Sequence, residues 1–136
     1  MQNNNETSIH MVFVGAGLYI RTKIWSVADK EYVDAYLTFD TGSSVSTLPP
    51  ENFVRLGYEP AYRSKIPLIT ASKSEDTSVF AVDKIMIGDF EIHDVEFHSL
   101  KFPIEGFSVG VIGLNVLRHF DIELLFSKGI IKLKKL

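Results

Sequence analysis

The chain has 136 residues, of which 46% are hydrophobic and 23% charged, a composition that suits one folded domain with its own core. Its net charge of −3 argues against a nucleic-acid-binding surface, which usually carries a basic excess. The sequence contains no cysteine, which excludes disulfides, thiolate catalysis and Cys-ligated zinc, and no apolar run approaches the ~20 residues of a membrane span.

The first residues, Met1–Ser8, are polar and lack the basic and apolar regions of a signal peptide. We therefore expect a disordered tail over residues 1–9 and a single domain over residues 10–136. Lack of cysteine fits a reducing compartment, so we expect a cytoplasmic protein.

Short apolar segments separated by Gly, Pro and Asp predict a mainly β chain. Predicted strands at Met11–Val14 and Leu18–Val27 flank a Gly15-Ala16-Gly17 turn, and a third at Tyr32–Phe39 follows Asp29-Lys30-Glu31. The glycine turn lacks the third glycine and the following helix of a phosphate-binding loop, so a simple turn is favoured.

The four residues Asp40-Thr41-Gly42-Ser43 come directly after the third predicted strand. A carboxylate at that point is held on rigid backbone beside a hydroxyl and a glycine. This arrangement is typical of an acid–base catalyst.

A short strand at Val45–Leu48 is predicted next, followed by a brief helix that begins near Pro49-Pro50-Glu51 and ends at Gly57. Beyond it, apolar segments at Ile66–Ala71 and Ser78–Ile87 predict a hairpin whose tip is the polar stretch Ser72–Thr77.

A second hairpin is predicted to turn at Gly88-Asp89. Its return strand changes apolar phase between Ile92 and Val95, which predicts a bulge at His93-Asp94.

The last third of the chain predicts a short helix at Leu114–Phe120 after the apolar run Val109–Gly113. A half-buried strand then carries Asp121 and Glu123 on its outer side. The final strand, Ile130–Leu136, ends in lysines that we interpret as protection of a sheet edge, or alternatively as part of a strand that pairs across a dimer; they are Lys132, Lys134 and Lys135.

The order of these parts resembles that of the retropepsin-like aspartic proteases, the single-domain relatives of pepsin. The resemblance rests on Asp40-Thr41-Gly42-Ser43-Ser44, on a polar-tipped hairpin about thirty residues later, and on Val111-Ile112-Gly113 before a helix and strand of the form Asn115-x-Leu117-x-x-Phe120-Asp121-Ile122. It covers roughly residues 10–136. It implies a single-domain, mainly β acid-protease fold: a closed β barrel with a flap hairpin and one or two short helices.

The resemblance also implies an endopeptidase that hydrolyses extended peptides with water activated between two carboxylates. Because the sequence has no second Asp-Thr-Gly or Asp-Ser-Gly, it implies a homodimer in which each copy contributes Asp40. No cofactor, metal, nucleic acid or membrane is expected. The four histidines lack helical metal-ligand spacing; they are His10, His93, His98 and His119.

Further roles follow from the resemblance. The resemblance implies that Thr41 hydrogen-bonds across the dyad, that Gly42 donates its N–H to the carboxylates, and that Ser43 hydrogen-bonds the outer carboxylate oxygen. Structural support for the Asp40 loop comes from Val111, Ile112 and Gly113. The flap residues are Thr70, Ala71, Ser72 and Lys73, and the apolar pocket is lined by Ile66, Leu68, Phe107 and Val109.

One departure from the family pattern is that the predicted flap tip has no glycine and carries three charges. It leaves open an alternative function, a non-catalytic dimeric module that binds a peptide or small ligand on the same fold.

Overall fold

The computed structural model describes residues 5–68, 73–100 and 110–136. Eleven strands, two short α-helices and one turn of 3-10 helix (Phe126–Lys128) are found there. The strands are β1 (Glu6–His10), β2 (Val12–Val14), β3 (Gly17–Ser26), β4 (Glu31–Phe39), β5 (Ser46–Leu48), β6 (Tyr62–Leu68), β7 (Lys73–Ile87), β8 (Phe90–Ser99), β9 (Gly110–Ile112), β10 (Phe120–Leu125) and β11 (Ile130–Lys135). The helices are α1 (Pro50–Leu56) and α2 (Leu114–Leu117).

Eight strands form one sheet in the order β2-β3-β4-β9-β5-β8-β7-β6, and a further pairing joins β3 to β7. That pairing is short, with Lys23 opposite Met86 and Ile24 opposite Ile85. It closes six strands into a hydrogen-bonded ring, with β2 and β6 attached outside it. The mainly β fold class is confirmed, with two short helices as expected.

The ring encloses an apolar core to which nearly every strand contributes. Phe53 of α1 lies at its centre, stacked on Phe80 with ring centroids 3.9 Å apart and edge-on to Phe97. The helix begins at Pro50 and ends where Gly57 adopts a left-handed conformation (φ 88°), as the sequence predicts.

The chain termini form a separate three-stranded sheet in the order β1-β11-β10. Residues 6–9 were expected in a disordered tail, but they belong to β1, which pairs with β11 from Glu6 opposite Lys134 to His10 opposite Ile130. The prediction failed because it relied on the polar composition of this segment. Only Ile9 faces the core, and the backbone hydrogen bonds that pair β1 with β11 do not depend on the polarity of the side chains.

The lysine-rich last strand is not at an edge. Within the described sheet β11 is central, paired with β1 on one side and β10 on the other, so the edge-protection interpretation is wrong and β11 offers no free edge to a partner strand. The outward orientation expected for Asp121 and Glu123 is confirmed by their exposure.

Both predicted strand pairs form, but each differs from its prediction in one detail. The turn at Gly88-Asp89 is confirmed, but pairing has the same register on both sides of Asp94, so no residue is inserted and the predicted bulge is wrong. The phase change comes instead from the left-handed backbone of Asp94 (φ 55°). In the other hairpin Leu68 pairs with Lys73, so residues 73–77 belong to β7 and not to the tip.

Candidate active site

Asp40 continues strand β4 by one residue. The β4–β9 pairing is parallel, with Phe39 opposite Ile112, and the Asp40 N–H donates to the carbonyl oxygen of Ile112 at 3.1 Å. Because strand side chains alternate, Asp40 lies on the face opposite Phe39, which packs against the core. The half-buried carboxylate therefore points away from the core, at the end of a rigid strand.

The residues after Asp40 form a tight turn around its carboxylate. The Gly42 N–H donates to Asp40 Oδ1 at 2.8 Å, and the Ser43 N–H donates to the Asp40 carbonyl at 3.3 Å. A Cβ atom on residue 42 would lie 3.1 Å from Oδ1, so any larger residue would crowd the carboxylate. Thr41 and Gly42 are exposed, so the loop presents a fixed carboxylate and a hydroxyl to solvent.

Ser43 does not make the bond that the resemblance implies. Its hydroxyl donates to the carbonyl oxygen of Val45 at 2.7 Å, which commits its proton to the loop's own backbone. Ser43 thus stabilises the turn through its own backbone.

The segment from β9 to α2 packs directly against this loop. The Leu114 N–H donates to the Ser43 carbonyl at 2.8 Å. A Cβ on Gly113 would lie 2.2 Å from the carbonyl oxygen of Val45 and 2.7 Å from that of Ser43, so the two segments are in backbone contact. The structure therefore brings Val111, Ile112 and Gly113 to the place expected of supporting residues.

Two further residues link this support to the sheet: Ser46, which the sequence did not single out, and Asn115. The Ser46 hydroxyl accepts from the Gly113 N–H at 3.0 Å and donates to Asn115 Oδ1 at 2.7 Å. Asn115 Nδ2 in turn donates to the Glu96 carbonyl at 2.9 Å. Asn115 is part of the recognised motif, whereas a serine within a three-residue strand gave no signal.

Much of the predicted flap and pocket falls outside the described residues. This applies to Thr70, Ala71, Ser72, Phe107 and Val109. Lys73 begins β7, while Ile66 and Leu68 lie in β6, so the backbone of the hairpin arms is present and the roles of these residues stay predictions.

His98 is the buried member of the four histidines, none of which was expected to bind a metal. It is buried on β8, with Nδ1 2.9 Å from the hydroxyl of Thr77, and burial lowers its pKa, although Glu96 nearby opposes this. The described part of the chain holds no group of three or more His, Asp or Glu residues placed to bind a metal ion. Among the described helices, none is long and apolar enough to cross a membrane.

Comparison with known proteins agrees with this geometry. The family model described as "Aspartyl protease" matches residues 27–116, a span that includes the Asp40 loop and its β9–α2 support, so the chain belongs to the aspartyl protease family. No curated protein matches the sequence.

Among solved structures, the chain resembles the crystal structure of a retropepsin-like aspartic protease from Rickettsia conorii, with a TM-score of 0.66 and 18% sequence identity. The match covers 96% of this chain and 90% of that one. At this identity the likeness is one of fold, and the retropepsin-like fold is confirmed.

Proposed function

We propose that the protein is a homodimeric aspartic endopeptidase whose catalytic pair is Asp40 from each of two copies. The observation that carries the proposal is the Asp40 loop itself: a carboxylate at a strand end, held by the Gly42 N–H and facing solvent. The bond from Gly42 N–H to Asp40 Oδ1 is an Asx turn, which a neutral asparagine would form equally well, so the presence of an ionisable group facing solvent at this position supports a chemical role.

Two such carboxylates that share one proton provide both acid and base. The ionised member accepts a proton from a water molecule held between the pair, and the resulting nucleophile attacks the scissile carbonyl carbon. The protonated member donates a hydrogen bond to the carbonyl oxygen as negative charge develops there. The proton accepted from water is then delivered to the leaving amine, which regenerates the pair.

The requirement for a second copy follows from the sequence, which holds a single Asp-Thr-Gly. Exposed apolar side chains support a surface for that copy. Leu114 adjoins the Asp40 loop, Leu124 lies on β10, Phe126 directly follows β10, and Leu136 directly follows β11. In the described sheet β10 has a partner on one side only, so its other edge is available to a copy of itself.

An extended peptide is the proposed substrate. Strands β6 and β7 form a long hairpin, and a hairpin that covers a groove binds a peptide through strand-like backbone hydrogen bonds. The proposed flap residues are those at its turn, 70–73.

The test is Asp40→Asn, which is nearly isosteric and removes the ionisable group. We expect peptide hydrolysis to fall at least ~10³-fold, because a carboxamide cannot serve as base, while the dimer and its Tm are retained. Asp94→Asn is the matched control: Asp94 is exposed, and asparagine tolerates its left-handed backbone.

Analytical ultracentrifugation measures the dimer, and specific activity should rise with protein concentration through the dissociation range. Activity near wild type in Asp40→Asn, or a fully active monomer, would overturn the proposal. A dimer that binds peptides without cleaving them would establish the binding module instead.

A further inference from the structure

The terminal sheet and the eight-stranded sheet separate at Met11, and a groove lies in the gap between them. After Met11 the chain enters β2, which pairs with β3 as far as Val12 opposite Tyr19. Before Met11 it forms β1, which pairs with β11 instead. Among the described strands, none pairs with this edge of β3 between Tyr19 and Lys23, where the pairing with β7 begins. The groove therefore lies beside a strand edge of each sheet.

The groove has a volume of about 360 Å³, within the range of sites that bind small molecules. Part of its lining is apolar and comes from both sheets: Ile9 is buried, while Val12 and Met86 are half-buried. The described residues that line it include no Asp or Glu. An apolar group thus has a surface to contact, and an anion meets no carboxylate in the lining.

The charged part of the lining comes from β3. Arg21 and Lys23 lie on its outer face, on either side of the buried Thr22. Arg21 donates to Asp34 Oδ2 at 2.8 Å, which balances its charge. Asp34 is also opposite Lys23 in the register, but the Lys23 ammonium makes no ion pair with any described residue. The groove therefore has one positive charge in excess, in a chain whose net charge is −3.

The free edge of β1 adds backbone donors to the groove. The backbone hydrogen bonds of Asn5 and Met11, at the two ends of β1, are both directed at β11. Because this direction alternates along an antiparallel strand, Ser8 and His10 direct their N–H and carbonyl groups to the opposite edge. Both residues line the groove, and in the described sheet no strand pairs with that edge. Their N–H groups are available to an anionic acceptor.

The turn between β7 and β8 fixes the position of β1 at the groove. A Cβ atom on Gly88 would lie 2.6 Å from Thr7 Cγ2 and 3.1 Å from Ile9 Cγ2, so the turn and β1 are in direct contact. The Thr7 hydroxyl also donates to Asp89 Oδ2 at 3.1 Å. The groove is therefore held open between two connected walls, and the nearby Asp89 carboxylate already has a hydrogen-bond donor.

We propose that this groove binds a small organic carboxylate with an apolar body. The carboxylate accepts hydrogen bonds from the N–H groups of Ser8 and His10 and lies near the Lys23 ammonium, because an ionised carboxylate accepts several hydrogen bonds at once. The apolar body contacts Ile9 and Met86. One positive charge in excess matches the single charge of a carboxylate, whereas a phosphate dianion would keep an unbalanced charge.

The site is separate from the catalytic carboxylate and does not depend on the proposed peptidase. Tyr36 lines the groove and lies four residues before Asp40, about 13 Å away along β4 at the usual rise of a strand. Asp40→Asn should therefore bind the ligand as tightly as wild type, and an inactive wild-type protein would leave this inference intact.

The probe is 4-phenylbutyrate, titrated into nitrogen-15-labelled protein. We expect saturable shifts of the amide signals of Ser8, His10 and Gly88, with a Kd below about 1 mM. The neutral 4-phenylbutyramide should bind at least ~10-fold more weakly because it lacks the charge, and butyrate at least ~10-fold more weakly because it lacks the ring. No saturable shift up to about 10 mM, shifts confined to other parts of the chain, or equal affinity for the amide would each overturn the proposal.

Lys23→Gln tests the charge, because it keeps most of the side-chain length and removes the ammonium. We expect the affinity for 4-phenylbutyrate to fall about 3–5-fold, as for the loss of an exposed ion pair. Lys30→Gln is the matched control, since it removes the same charge from the exposed β3–β4 turn outside the groove, and its effect should stay below about 1.5-fold. Equal affinities in the two variants would show that Lys23 does not contact the ligand and would overturn the assignment.

Hydrogen exchange tests the backbone donors. In the free protein the N–H groups of Ser8 and His10 should exchange faster than that of Ile9, which faces β11, and saturation with 4-phenylbutyrate should slow the first two. Slow exchange at Ser8 and His10 without ligand would show that this edge is already paired, as by a second copy of the chain, and would refute the proposal.

Discussion

The inner face of the ring is packed with apolar side chains, whereas the opposite face, where Asp40 lies, buries threonine and histidine. On the inner side Phe53, Phe80 and Phe97 form a continuous contact with their neighbours. On the face of the sheet that Asp40 shares, the Thr47 hydroxyl has no hydrogen-bond partner among the described residues. One face of the same strands therefore provides stability, whereas the other retains an unsatisfied hydroxyl, so mutations on the two faces should have separable effects.

The largest effect on stability is expected on the inner face. Phe53→Ala should lower the free energy of unfolding by about 3–5 kcal/mol, because it empties a fully buried site stacked on Phe80. Denaturant unfolding measures the loss. Val54→Ala is the control from the same helix: Val54 is 77% exposed, and its change should stay within about 0.5 kcal/mol.

If mutations on the two faces act independently, Phe53→Ala should leave kcat per folded molecule close to the wild-type value. A large fall in kcat at a temperature where the variant is fully folded would show that the core and the catalytic loop are coupled.

Gly113→Ala should affect stability and activity together. The new Cβ would lie 2.2 Å from the carbonyl oxygen of Val45, so the Asp40 loop must shift. We expect a loss of about 1–3 kcal/mol from overpacking and, because the carboxylate moves with the loop, a fall in kcat of about 10²-fold.

Gly15→Ala isolates the backbone effect of a glycine substitution. Gly15 is left-handed (φ 59°) but has open space around it, so stability should fall by about 1–2 kcal/mol without a change in kcat. Equal kcat for Gly113→Ala and wild type would refute the supporting role of Gly113.

The smallest effect is a pH dependence from His98. Burial lowers its pKa in the folded state, so below the unfolded pKa of about 6.5 the unfolded chain binds more protons than the folded one. Stability is therefore complete above pH 6.5 and declines as the pH falls towards the folded pKa, by at most about 1.4 kcal/mol per pH unit. His98→Gln should remove this component from the profile of unfolding free energy against pH, and an unchanged slope would contradict the assignment.

Local patterns predicted those parts of the fold that depend on one segment at a time. The helix from Pro50 to Gly57 and the turn at Gly88-Asp89 are confirmed because proline and glycine act through their own backbone angles. The phase change in β8 was detected correctly but assigned to a bulge, since a left-handed Asp94 and an inserted residue give the same apolar pattern.

The sequence by itself determined the mainly β class, the family and the place of Asp40 at a strand end, because these depend on short motifs and alternation. Tertiary structure decided the rest. The pairing of β1 with β11, the Ser46–Asn115 link and the contacts of His98 with Thr47 and Thr77 join residues from 21 to more than 100 positions apart. Which strand lies beside which is set by the closure of the ring, and no local propensity encodes that closure.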